Sequence, residues 1–184
     1  YASAQRINYA DLIPVLNKKL HEQFGIPDLI NDCMSAQLFV KDSVWNKLTA
    51  DQQRETMEIT KKVVSAHPGV KTIWTPEELK ARAFHPHQIE SFYQNQLYPG
   101  RTGKLIVQPL PYCVIDSHNL GTGHRTPYEA DTHVPLILYQ KNTLKPCTIT
   151  QNVWTLQLAP TLAQLLEIPR PSACVMEILP GITK

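Results

Sequence analysis

The sequence predicts an α/β protein in two parts: a small α+β unit, ferredoxin-like in general shape, followed by the edge strand and helix of a larger α/β sandwich. Three observations predict it. From about residue 26 to 115 the hydrophobic pattern runs strand, strand, helix, strand, helix, strand. From 116 onward it changes to a charge-rich loop, one apolar run and one apolar helix. That single strand and helix cannot bury both faces of a sheet, so the terminal piece needs further layers around it. The chain divides accordingly into a connecting helix at 1–25, an α+β domain at 26–115 and a C-terminal strand–helix piece at 116–184.

The elements follow from their own residues. "YADLIPVLNKKLHEQF" (9–24) spaces Leu12, Val15, Leu16, Leu20 and Phe24 for one helix face, with Pro14 expected in the first turn and Gly25 and Pro27 as the stop. "DLINDCM" and "QLFVK" read as strands. The clearest helix begins at Thr49, whose hydroxyl caps it while Gln52 completes a capping box; His67-Pro68-Gly69 ends it. "VKTIWT" is a strand, Pro76 opens the next helix, and "FHPHQIESFYQNQL" is a further one. "GKLIVQPLPYCVI" is an extended apolar run that Pro109 and Pro111 confine to an edge or interrupt, and an antiparallel sheet with helices on one face is expected. Beyond the loop, "HVPLILY" (133–139) reads as a buried strand and "QLAPTLAQLLEI" as a helix stopped by Pro169 and Pro171.

Composition excludes several function classes. Eighteen Lys and Arg against sixteen Asp and Glu leave a formal charge of +2, scattered without a basic stripe, so nucleic acid is not the favoured partner. No apolar stretch approaches the roughly 20 residues of a membrane span, and the polar first residues carry no signal-peptide pattern. Cys33, Cys113, Cys147 and Cys174 form no CxxC pair; buried free thiols are expected, with disulfides open if the protein is exported. The start at Tyr1 without methionine suggests a processed chain or a fragment.

The chemistry concentrates in residues 116 to 133. Asp116, His118, His124, Glu129, Asp131 and His133 place six potential oxygen or nitrogen ligands within 18 residues, and mixed histidine and carboxylate sets suit a hydrolytic metal. The same residues also serve ordinary turns, Asp131 bonding backbone amides two residues on and His133 covering a strand end. His85-Pro86-His87 is expected in a turn; Trp45, Trp74, Trp154, Phe84, Phe92 and Tyr93 in the core or a domain contact; and Lys18-Lys19 and Lys61-Lys62 on solvated helix faces.

"GTGHRTPYEADTHVPLILY" (121–139), followed further along by "LAPTLAQLLEIPRPSA" (158–173), resembles the C-terminal part of the alkaline phosphatase superfamily, and within it the branch of large bacterial phosphatases and the related type I phosphodiesterases and nucleotide pyrophosphatases. There a Gly-Thr-x-His-Gly-Ser-Pro-Tyr-x-Tyr-Asp-Thr-His-Val-Pro stretch precedes a helix reading Asp-Ile-Ala-Pro-Thr-Leu. The likeness covers about residues 116 to 180, and the α+β domain stands where those enzymes carry an insertion. It implies the C-terminal edge of an alkaline-phosphatase-like sandwich, and two zinc ions flanking a Thr or Ser nucleophile for in-line displacement at phosphorus.

One family position carries over: His124 corresponds to the final metal-binding histidine. The nucleophile motif and the other ligand motifs are absent, so the resemblance implies a C-terminal fragment of a phosphomonoesterase or phosphodiesterase, inactive alone, acting on phosphate esters when joined to upstream polypeptide, and periplasmic or secreted. No catalytic or substrate-contacting residue is assigned. Arg125 stands where a glycine is usual, as a phosphate-gripping cation or a solvated loop residue. Gln157 replaces the helix-starting aspartate, with Thr155 able to compensate. A non-catalytic binding domain and a self-contained metal module using the 116–133 ligands are the alternatives.

Overall fold

The computed structural model of the chain describes residues 5–141 and 143–182. They fall into two units, one ending at Val134 and the other beginning at Pro135.

The first unit starts with a strand too short to show any periodicity, β1 (Arg6–Asn8), which passes directly into α1 (Tyr9–Phe24). Asn8 caps that helix by accepting from the Ala10 amide at 2.9 Å, and Gly25, at φ 65°, ends it in the left-handed conformation that glycine adopts without a Cβ clash. Pro14 lies in the second turn, inside the helix, and not in the first turn as expected. Its missing N–H leaves the Ala10 carbonyl without its usual helical donor. Leu16 and Leu20 are fully buried, and Asn17 clamps Ile30 through two bonds of 2.8 Å, donating to its carbonyl and accepting from its amide.

Next come β2 (Ile30–Met34), β3 (Gln37–Val40), the short α2 (Asp42–Trp45) and α3 (Ala50–Ser65), whose Thr49–Gln52 capping box forms as the sequence predicts. β4 (Val70–Trp74) leads into α4 (Pro76–Lys80), with Pro76 at its first position and a second capping box between Thr75 and Glu78. α5 (Ile89–Asn95) begins five residues later than "FHPH" suggests, because His85 to Gln88 form a turn closed by the Gln88 side chain on the His85 amide. β5 (Leu105–Pro109), β6 (Val114–Asp116) and α6 (Glu129–Thr132) complete the unit. The apolar run 103–115 is thus interrupted at its prolines.

Four strands form an antiparallel sheet in the order β2–β3–β5–β4, while β1 and β6 pair in parallel as a separate ribbon. The mixed α/β class is as expected. The sheet opens with a hairpin and does not follow the β-α-β-β-α-β sequence of a ferredoxin-like outline. Nor are its helices on one face. Leu105 and Val107 of β5 join Leu16 and Leu20 of α1 and Val64 of α3, whereas Ile106 points the other way, into a second core with Leu79 of α4 and Tyr93 of α5. The alternation of a strand thus serves two apolar layers, and every residue of β5 is buried.

A polar chain crosses the second layer. Trp74 Nε1 donates to Gln108 Oε1 at 2.9 Å, Gln108 Nε2 donates to Glu90 Oε1 at 3.0 Å, and Lys71 reaches the same carboxylate at 3.3 Å. Burial disfavours the charged Glu90, but the bonds from Gln108, its own backbone and Lys71 outweigh it and hold its pKa below the usual carboxylate range. Lys61, expected on a solvated face, instead bridges α3 to α4 by a 2.7 Å pair with Glu78, a carboxylate also held low. Trp45 and Tyr93 are core residues as expected, and Trp74 meets Phe84 edge-on at 6.2 Å, while Trp154 is exposed. Cys33 and Cys113 are buried free thiols, Cys33 with its pKa pushed up to about 12 by burial; Cys147 is exposed and Cys174 half-buried, contrary to expectation.

In the second unit a 3₁₀ turn (Thr155–Gln157) feeds α7 (Leu158–Leu165). Gln157, not Thr155, closes the first turn by accepting from the Trp154 amide at 2.9 Å. Thr161, fully buried, donates to the Gln157 carbonyl at 2.6 Å and accepts from the Leu179 amide at 2.8 Å, tying the last residues to the helix. "HVPLILY" is not a strand: residues 133–139 lie outside any helix or strand, for no neighbouring backbone among the described residues offers them a ladder.

Two outcomes test this architecture. Gln108→Leu leaves the Trp74 indole N–H and the Glu90 carboxylate without their partner, lowering unfolding free energy in urea by about 1–3 kcal/mol at neutral pH. Because a depressed carboxylate pKa stabilises the fold above its unfolded value and is lost as pH falls through the folded one, the parent protein loses stability below about pH 4.3, and the variant has less to lose there. Separately, the β2–β3 hairpin turns on Ser35 and Ala36 at φ 49° and 62°. Ser35→Gly relieves a left-handed non-glycine residue and raises stability by about 0.5–1 kcal/mol in the same assay.

Candidate functional site

The ribbon of β1 and β6 sets the site. In its register Arg6 faces Val114, Ile7 faces Ile115 and Asn8 faces Asp116, so the charge-rich loop emerges beside the start of α1. Arg6 donates to the His118 carbonyl at 2.9 Å and also to the Gly121 carbonyl, and Asn8 donates to Asn119 Oδ1 at 2.8 Å. These bonds span more than 110 residues of sequence and fasten positions 118–121.

A second set fastens positions 126–131. Asp131 Oδ2 accepts from the Thr126 amide at 3.0 Å and from its hydroxyl at 2.7 Å, and Tyr128 donates its hydroxyl to the Pro109 carbonyl at 2.7 Å, anchoring the loop to the end of β5. Pro127 is buried. His124 and Arg125 lie between the two fastened stretches, both exposed. A cavity of ≈ 20 Å³, room for about one water, is lined by Ala36 from the hairpin turn, Val114, Asp116, Gly123, Arg125 and Asp131.

The six candidate ligands separate into local roles. Asp116 Oδ1 lies 3.1 Å from His118 Nδ1 and accepts from the Ser117 amide at 2.7 Å; the His118 bond first and the Ser117 amide second hold its pKa below the usual range. Glu129 and His133 form an exposed pair at 3.5 Å one helical turn apart. Asp131 is spent on Thr126, and His124 is exposed. Among the described residues no three histidine, cysteine or acidic side chains converge on one point, so the self-contained metal module has no assembled shell; Asp131 serves a turn, but by accepting from Thr126 five residues back and not from amides two residues on. Arg6, Asn8 and Ala36 went unforeseen. A three-residue strand whose partner lies a hundred residues away leaves no local pattern, and only the capping type of Asn8 ahead of an amphipathic helix signalled anything.

No protein-family model matches the chain. Alkaline phosphatase PhoK of a Sphingomonas species is 26% identical over 179 residues, covering 91% of this chain and 31% of the relative. Crystal structures of alkaline phosphatase PafA superpose with a TM-score of 0.79 for the wild type, over 97% of this chain and 33% of that one, and 0.76 for a variant with four substitutions, over 94% and 32%, both at 23% identity. The chain carries part of an alkaline phosphatase fold. Its sequence and structure neighbours are alkaline phosphatases that match almost all of it, and it spans about a third of their length.

Within this part of the phosphatase fold, the fastening at Asp131 is the simplest to test. Asp131→Ala removes two bonds to a carboxylate and lowers stability by about 1–3 kcal/mol. It also speeds protease cutting between 122 and 133, read by mass spectrometry of the fragments, and Asp131→Asn restores part of both.

Proposed function

We propose that this chain is the His124-bearing portion of a metal-dependent phosphomonoesterase or phosphodiesterase, exported to the periplasm or beyond. The observation that supports this most is His124 itself: an exposed imidazole on a loop pinned on both sides, beside the end of a parallel strand pair. An imidazole held this way presents a ring nitrogen to a cation without first paying the entropy of ordering its loop. The likeness to alkaline phosphatases along nearly the whole chain supports the reaction class.

The described residues of this chain do not by themselves fit a zinc ion, which takes about four ligands where His124 supplies one. The proposal therefore assigns the remaining ligands and the nucleophile to polypeptide outside these 184 residues, in keeping with relatives about three times as long. When bound, paired zinc ions supply Lewis acidity and a nucleophile of lowered pKa. What the chain contributes is position: Arg6, Asn8, Asp131 and Tyr128 fix the loop, and the loop holds His124.

The test uses the full-length protein that carries this sequence. His124→Ala abolishes hydrolysis of an aryl phosphate by more than the ~10–100-fold loss typical of a group that merely supports a ligand, and bound zinc falls in parallel by metal analysis after dialysis. The isolated 184-residue chain with added zinc shows no turnover. Turnover by that chain comparable to the complete enzyme, or full activity of the His124→Ala protein, sinks the proposal.

A further inference from the structure

The turn between β5 and β6 is built on a residue that its geometry disfavours. The Cys113 amide donates to the Leu110 carbonyl at 3.2 Å, and Pro111, whose ring fixes φ near about −65°, holds the second position. Tyr112 takes the third position at φ 61°. A proline followed by a left-handed residue makes a type II turn, whose third position calls for glycine because a Cβ there crowds the backbone. Such strain persists where packing or function requires it. Packing does not require it here: Tyr112 is 74% exposed, and among the described residues its side chain makes no hydrogen bond or ring contact.

The strained positions also gather beside His124. Tyr112 lines a cavity of ≈ 20 Å³ whose other walls include Gly123, Thr126 and Tyr128, so it borders the stretch that carries His124. Ala36, left-handed at φ 62° in the β2–β3 turn, lines the neighbouring cavity together with Arg125. Two turns from distant parts of the sequence thus hold non-glycine residues in a glycine conformation next to one loop.

We propose that Tyr112 is a specificity-determining residue whose exposed ring receives the aromatic alcohol portion of a phosphate ester with its phosphoryl group at His124. Resting on the reading of His124 as a metal ligand, this assigns the other end of the substrate. The cavity has room for about one water, so the organic group lies against the open face of the ring and not inside. A tyrosine ring presents a broad apolar face that attracts another ring in stacked or edge-on contact, and gains little from a small alkyl group. That contrast makes aryl esters the substrate class.

The experiment uses the full-length protein with phenyl phosphate and ethyl phosphate as paired substrates. Tyr112→Gly supplies the residue the turn prefers, so the melting temperature stays level or rises. Its kcat/KM for phenyl phosphate falls about 3–10-fold, the range of an aromatic pair, while that for ethyl phosphate is unchanged. Tyr112→Phe keeps both within about twofold of the parent protein, since the ring remains. An unchanged phenyl-to-ethyl ratio in Tyr112→Gly overturns the assignment, as does an equal loss in Tyr112→Phe, which places the effect in the hydroxyl. So does a lowered melting temperature for Tyr112→Gly, because the ring is then packed against the rest of the enzyme. The two proposals fail separately: absence of turnover of both esters by the parent protein sinks the phosphatase reading and this one with it, whereas turnover of both with an unaltered ratio in the variant removes Tyr112 alone.

Discussion

Burial of β5 on both faces is the constraint from which the first unit is built. Five consecutive buried residues leave their backbone groups no access to water, so both edges of the strand must be paired by protein. β4 supplies one edge, and β3 with the hairpin turn supplies the other, the Val107 amide reaching the Ala36 carbonyl at 2.7 Å. The approach is close enough that a side chain at Gly103 would place its Cβ 2.7 Å from the Leu38 carbonyl oxygen. Pro109 ends the ladder where its missing N–H does no harm, the Leu110 amide closes on the Gly69 carbonyl, and the chain turns through Tyr112 into β6. The position of Asp116, and of the loop after it, is inherited from where β5 stops.

Much of this was legible in the residues because the signals were local. Thr49 with Gln52, and Pro76 after Thr75, are helix starts whose geometry depends only on the next few positions, and both formed. The order of strands and helices between 26 and 115 followed from periodicity. What escaped was set by distance. β1 has no pattern of its own and exists because Val114 to Asp116 lie alongside it. The two-sided sheet was missed although "LIVQP" has no polar alternation, a feature that belongs to strands covered on both faces.

The candidate site divides the same way. A concentration of histidines and carboxylates was visible, but which of them are free could not be read from spacing: Asp131 is taken by Thr126 and Asp116 by Ser117 and His118, whereas His124 remains open. "HVPLILY" has the composition of a buried strand and none of the neighbours. Composition fixes what a segment is suited to; only the surrounding chain decides whether it is realised.

The bonds from Arg6 and Asn8 to residues 118–121 close a circuit of more than 110 residues. Closing so long a circuit costs most entropy while the chain between its ends is disordered and little once the intervening sheet has brought them together, so this clasp is among the last contacts made during folding. By reversal it is among the first released on warming, while the two apolar cores still hold. The stretch that bears His124 then loosens at temperatures where the bulk of the molecule is intact.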